Sequence, residues 1–315
     1  MARSLVCALL GSKTLGGELG KKGTASDITL YNQSSEGLNI SYVEPTQFPE
    51  KFPPLLNAIH MAGGRSILVV ESLNKDLAET VVTLDMMDAR EGIVALAPGV
   101  GREELLHTFK GTVLERYDFV PLDAKTLRQK VEAWPERTAE EGSLRLPIDH
   151  AFPVRGVGTV ALGLVERGKV RAHDKLRLFP EETMVEVRSL QVHDADVVEA
   201  GVGQRVGLAL KGVEAHEVKR GQVLAPPDGL KTGDLLQLRG YTPCKFFKGK
   251  AGEGDKVHVS LGLDDAPAKI ATVDGSHLTL NLTRPMAWSP GDRALIVDLS
   301  GSGFRPRVAG YGSVD

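Results

Sequence analysis

Apolar positions in the first 135 residues follow two alternating patterns. Compact aliphatic runs, Ser4–Leu10, Ser66–Val70 and Gly92–Leu96, predict strands buried on both faces. Between them, apolar residues recur every three or four positions at Pro53–Met61, Lys75–Met87, Gly101–Lys110 and Lys125–Trp134, which predicts helices. Along Lys75–Met87, the residues Leu77, Val81, Leu84 and Met86 or Met87 share one face. Ser12–Lys22 has room for a short helix. Asp27–Tyr31, Leu38–Val43 and Arg116–Val120 read as further strands. This alternation predicts an α/β unit, a mostly parallel sheet with helices on both faces.

The pattern changes after Trp134. Pro135–Ser143, PERTAEEGS, is polar and without period, and reads as a linker. From Leu146 the helical period is gone. Short strands separated by Gly, Pro and Asp turns are predicted at Gly158–Val165, Lys175–Leu178, Met184–Leu190, Arg205–Leu210 and Gln222–Leu224. Pro226-Pro227-Asp228-Gly229 ends this series. A second series follows, with Lys256–Leu261, Ala268–Val273, His277–Leu282 and Ala294–Val297. The expected organisation is an α/β domain over 1–135, a linker over 136–145, and two small all-β barrels over 146–228 and 229–315.

Composition changes this picture little. The 315 residues are 42% hydrophobic and 25% charged, ordinary for a soluble protein with two or three cores. A net charge of -3 means that any nucleic-acid site must be a local basic patch. Cys7 and Cys244 give no disulfide framework and fit a reducing cytoplasm. The run in MARSLVCALLGSK reads as a first strand rather than a signal peptide, and no apolar run approaches the roughly 20 residues that span a bilayer, so no membrane partner is expected. His173, His193 and His216 lack metal-ligand spacing and read as surface or loop histidines.

The stretch Leu146–Ala225 resembles the second domain of the translational GTPases, which include elongation factor Tu and the selenocysteine-specific elongation factor. The residues that carry the match are LPIDHAF (146–152), RGVGTV (155–160), VERGKV (165–170) and VGLALKGVEAHEVKRGQVLA (206–225). SLQVHDADVVEAGVGQRVG (189–207) leans toward the selenocysteine branch. GDRALIVDLSGSGFRPRVAGYGSV (291–314) is similar to the final hairpin of the family's third domain. The resemblance implies that the first domain stands where the family keeps its G domain.

A phosphate loop needs GxxxxGK[ST] directly after the first strand, so that backbone N–H groups wrap the phosphates, a Lys meets them and a hydroxyl holds magnesium. Gly11 and Gly16 have the right separation, but Gly17-Glu18 replaces Lys-Ser/Thr, and a carboxylate repels phosphate. Gly20-Lys21-Lys22 is a displaced near miss: its loop begins at Leu15 rather than Gly, and Lys22 offers no oxygen to a metal. The resemblance also puts Gln47 where a glycine senses the terminal phosphate and Phe48 where a histidine orients water. Ala97, Pro98 and Val100 stand where Asn-Lys-x-Asp reads guanine. No nucleotide-binding residue is therefore expected; Gly20, Lys21 and Lys22 are what is left for one.

Two RNA-binding candidates emerge. Lys245, Lys248 and Lys250, interleaved with Phe246 and Phe247, are able to meet phosphate and stack a base. A solvated edge strand with two core aromatics explains them equally well, and Arg305 and Arg307 invite the same two readings. The resemblance also implies a pocket for the tRNA end: Phe152 stands where the family has Phe, and Gln191, His193 and Asp194 where it has Glu, His and Arg. His193 matches, and Asp194 reverses a charge. The alternative is that these residues serve only the barrel. The expectation is an elongation factor-like pseudo-GTPase with no catalytic residue and no cofactor, cytoplasmic, binding tRNA or other RNA, the ribosome or another translation factor. Two alternatives stay open. One is an active factor using GTP and magnesium at an unorthodox loop around Gly20-Lys21-Lys22. The other is a regulatory scaffold outside translation.

Overall fold

The aliphatic run Arg3–Leu10 forms β1 at the centre of a seven-stranded sheet. The computed structural model describes residues 3–35, 37–137, 142–300 and 305–315. After β1 come α1 (Leu15–Leu19), β2 (Lys21–Ala25), β3 (Thr29–Ser35), β4 (Leu38–Glu44), α2 (Pro53–Met61), β5 (Arg65–Val70), α3 (Lys75–Met86), β6 (Glu91–Leu96), α4 (Arg102–Thr108), β7 (Asp118–Pro121) and α5 (Ala124–Glu132). The sheet order is β2-β3-β4-β1-β5-β6-β7. β4, β1, β5, β6 and β7 run parallel, and β2 and β3 form an antiparallel hairpin on the β4 edge. Leu5, Cys7 and Leu9 of β1 share a core with Leu15 and Leu19 of α1 and Leu127 and Val131 of α5.

The short helix expected within Ser12–Lys22 forms at Leu15–Leu19, and it ends there because Gly20 turns extended and Lys21-Lys22 pairs with Asn32 and Tyr31 as strand β2. A Cβ on Gly20 would lie 2.9 Å from the Asn32 backbone, so only glycine lets the two strands approach. The strand expected at Arg116 begins at Asp118, and 113–116 is a 3₁₀ turn.

The remaining strands are all antiparallel. β8 (Leu146–Val154), β9 (Gly158–Leu164), β10 (Lys169–Arg171), β11 (Lys175–Phe179), β12 (Thr183–Val192), β13 (Ala195–Val197), β14 (Glu199–Gly201), β15 (Arg205–Lys211) and β16 (Val223–Ala225) build the first barrel. Its ring is β11-β16-β8-β9-β15-β12, closed by β11 against β12. Inward residues such as Leu146, Ile148, Val187 and Leu208 fill it. β17 (Lys231–Pro243), β18 (Lys256–Leu261), β19 (Asp264–Asp274), β20 (His277–Trp288), β21 (Arg293–Val297) and β22 (Val308–Val314) close a second barrel in the order β17-β20-β19-β18-β21-β22.

The chain packs as two units. One holds Met1–Pro135 with Thr242–Ala251 and Leu295–Tyr311; the other holds Glu136–Tyr241, Gly252–Ala294 and Gly312–Asp315. Part of the expected linker, 138–141, lies outside the described residues. Its end is structural: Leu144 and Arg145 are buried, and Arg145 binds Glu166 and Asp292 at 2.9 and 2.8 Å. Among the described residues no helix is long and apolar enough to cross a membrane.

Candidate functional site

The loop after β1 is built to satisfy itself. Ser12 Oγ accepts the backbone N–H of Thr14 and of Leu15 at 3.3 and 3.2 Å. Those are donors that a phosphate loop turns toward its ligand. Gly11 has φ +81, and a Cβ there would meet the Val69 carbonyl at 2.3 Å. On Gly16 a Cβ would meet the Tyr31 ring at 2.3 Å. Both glycines are thus required by packing, which explains their spacing without a phosphate. Lys21 and Lys22, the remaining nucleotide candidates, are exposed on the outermost strand, β2.

The other nucleotide elements are replaced as well. Phe48 and Phe52 face the guanidinium of Arg307, at 5.8 and 4.6 Å from its carbon to their ring centres. Arg307 also donates to the Pro49 carbonyl and, through two nitrogens, to Glu79 at 2.9 and 2.8 Å. Beyond β6, Ala97–Val100 closes a turn through Val100 N–H on the Ala97 carbonyl, and its side chains offer guanine nothing polar. Among the described residues no group of three or more His, Cys, Asp or Glu is placed to hold a metal ion.

The two sets of RNA candidates part company. The expectation for Arg305 and Arg307 is corrected: Arg305 pairs with Asp76 and Glu79, Arg307 with Glu79, and neither guanidinium is presented as a free cation. Lys245, Lys248 and Lys250 lie instead on an exposed loop after β17, not on an edge strand. Phe246 is 40% exposed, with the Lys245 ammonium 4.9 Å from its ring centre. Phe247 is half-buried.

At one end of the first barrel stands a two-residue hairpin turn. His193 and Asp194, at φ 49 and φ 62, connect β12 to β13, with Val192 opposite Ala195. Two positive φ values are the signature of a type I′ turn, which usually takes Asn or Gly. Gln191 precedes the turn, exposed, its amide donating to Asp196 at 2.8 Å. Burial lowers the His193 pKa and the nearby Arg205 lowers it further, while Asp194 opposes them. Its imidazole is neutral at pH 7 and offers an acceptor nitrogen. Phe152 is 40% exposed on β8, three places from β12 either way round the ring. Gln191, His193 and Asp194 are thus neighbours in one hairpin, and Phe152 lies on a different strand of the same barrel.

Behind the turn is a charged core. β8 slips register between Ile148 and His150, a bulge at Asp149. Asp149 is 1% exposed and receives both Arg205 nitrogens, at 2.8 and 2.7 Å, and faces His150 Nδ1 at 2.6 Å. Burial by itself would raise the Asp149 pKa, and Arg205 and His150 outweigh it and hold it below the usual carboxylate range. Farther along, an open groove is lined by Gly158, Thr159, Arg188 and Lys211.

Residues 158–225 match the family model for elongation factor Tu domain 2. Along 95% of its length the chain is 34% identical to an uncharacterized protein of Methanocaldococcus jannaschii, 96% of which is covered. The chain carries an elongation factor Tu-type second domain and is related to the translational GTPases. The selenocysteine-specific elongation factor of the same organism is 28% identical over 82% of this chain, but the chain spans only 55% of that factor. A solved structure of translation elongation factor SelB from Methanococcus maripaludis, in complex with the GTP analogue GppNHp, superposes with a TM-score of 0.83. It covers all of this chain and 79% of that one at 24% identity, and shows the shared fold.

Within this elongation factor-like frame, sequence reasoning missed Asp149, Arg205, Arg188 and Lys211. Asp149 had a usable signal. It interrupts a buried run, Leu146–Asp149, and a carboxylate at a core position demands an internal cation. Arg188 and Lys211 carried none, since single cations on strands read as solvated.

Proposed function

We propose that this elongation factor-like protein acts by binding RNA, with tRNA as the first candidate, and that it does not hydrolyse GTP. The observation that carries the RNA reading is the exposed loop with Lys245, Phe246, Lys248 and Lys250, three cations around a solvent-facing ring. That combination tracks a phosphate backbone while stacking a base. The neutral His193 on its hairpin offers a hydrogen bond to a nucleobase edge, and Arg188 and Lys211 offer charge beside a groove. The nucleotide half of the proposal rests on the loop donors that Ser12 engages.

The test is a pair of titrations of the full chain at low salt. Labelled tRNA is expected to bind saturably and to be displaced as salt rises. A fluorescent GTP analogue is expected not to bind. Saturable GTP binding lost in Lys21→Ala would restore the active-factor reading. Absence of any affinity for tRNA or ribosomes would remove the RNA reading and leave a protein-docking scaffold.

A further inference from the structure

A cleft of about 180 Å³ opens at the carboxyl ends of β1, β4 and β5, beside the amino end of α3. Gly11, Ser12, Lys13, Glu44, Glu71 and Asn74 are among its walls. Its hydrogen-bonding sense is the reverse of an anion site. The donors are engaged: Ser12 takes the N–H groups of Thr14 and Leu15, and Asn74 Oδ1 takes those of Asp76 and Leu77 at 3.0 and 2.9 Å. One wall acceptor is not. Glu44 is 4% exposed, receives the Tyr31 hydroxyl, and keeps Oε2 without a partner.

Charge points the same way. Glu44, Glu71 and Asp76 line the cleft with one lysine, Lys13, and among the described residues the ion pair seen on these carboxylates is Asp76 with Arg305. Burial raises the Glu44 pKa, with Tyr31, Lys22 and Lys13 opposing it. A divalent metal would want three or more such ligands, and no such group occurs among the described residues. The volume is below the roughly 300–1,000 Å³ of pockets for drug-sized ligands. A primary ammonium, with three donors and no acceptor, matches a buried carboxylate oxygen left bare in the cleft wall.

We propose that this cleft binds a small organic cation, a primary alkylammonium seated on the Glu44 carboxylate. The site then occupies the place of the family's phosphate site with its electrostatics inverted. It needs no RNA partner and stands if the RNA reading falls.

The test follows backbone amide NMR shifts of the full chain during titration with butylamine and butane-1,4-diamine. Saturable shifts are expected at Gly11, Ser12 and Glu44. Glu44→Gln should weaken binding at least tenfold while leaving distant shifts in place. Lys13 is exposed, and Lys13→Ala should tighten binding by roughly two- to fivefold through lost repulsion. If Glu44→Gln fails to fold, the Lys13→Ala result decides, and unchanged or weaker affinity overturns the proposal. So does the absence of saturable shifts with either amine, unchanged affinity in Glu44→Gln, or saturable shifts at the same residues with GTP.

Discussion

The Arg307 guanidinium closes on the Glu79 carboxylate with two hydrogen bonds, Nε to Oε1 at 2.9 Å and Nη2 to Oε2 at 2.8 Å. The Glu79 side chain is fully buried on α3, so water cannot solvate its charge. Phe52 and Phe48 wall the arginine. The Phe48 ring thus has a packing role against Arg307.

Arg307→Ala should therefore be costly. It strands most of a buried carboxylate, which typically costs about 3–5 kcal/mol, with Arg305 recovering part of it. Arg307→Lys should lose less, since it keeps charge but not the two-pronged geometry. Urea denaturation of the three proteins gives the ranking. Equal midpoints for wild type and Arg307→Ala would mean that the pair contributes nothing.

This latch also shows where sequence reasoning stops. The periodicity of α3 marked Leu77, Val81 and Leu84 as its buried face, and these are buried. Glu79, Thr80 and Thr83 are buried too, on the side that meets other parts of the same unit. Nothing local at Glu79 announces a partner 228 residues away. Likewise Lys21-Lys22 falls in the stretch read as holding a short helix, and becomes β2 because β3 is available to pair with it. Strands and helices were legible because each repeats a local pattern. The arginine partners were not, because ion pairs between distant segments leave no period.

His193 should make stability depend on pH. Its folded pKa is lowered by burial and by Arg205, so the unfolded chain binds the proton more tightly. Stability is then full above the unfolded value of about 6.5 and is lost as pH falls through the folded value. His193→Gln should flatten that decline. Denaturation midpoints at pH 7.5, 6.5 and 5.5 compare the two, and parallel curves would sink the assignment.

Two glycines soon after β1 should respond with opposite signs. Gly11→Ala forces a Cβ to within 2.3 Å of the Val69 carbonyl at φ +81, and should cost well over about 1 kcal/mol. Gly17 lies exposed on α1 with nothing within 4 Å of its would-be Cβ. Gly17→Ala should stabilise by about 0.5–1 kcal/mol through helix propensity. Thermal melts separate them. A neutral Gly11→Ala would mean that the β5 contact does not require that glycine.

The salt dependence of tRNA binding tests the Lys245–Lys250 loop quantitatively. Each lysine that neutralises a phosphate adds roughly 0.7–0.9 to the slope of log affinity against log salt. Replacing Lys245, Lys248 and Lys250 together by Gln should reduce that slope by roughly 2–3 if all three make contact. Phe246→Ala removes a stacking ring and should weaken binding by about 1–3 kcal/mol. The slope should stay nearly unchanged, because no charge is lost. Stability should change little in either variant, since the three lysines are exposed and Phe246 is only partly covered. Those signatures separate charge from stacking: the first variant changes slope, the second changes affinity at constant slope. If both variants bind with wild-type affinity and slope, the loop is not the RNA contact. Arg188 and Lys211, beside the barrel groove, would then be the cations to replace next.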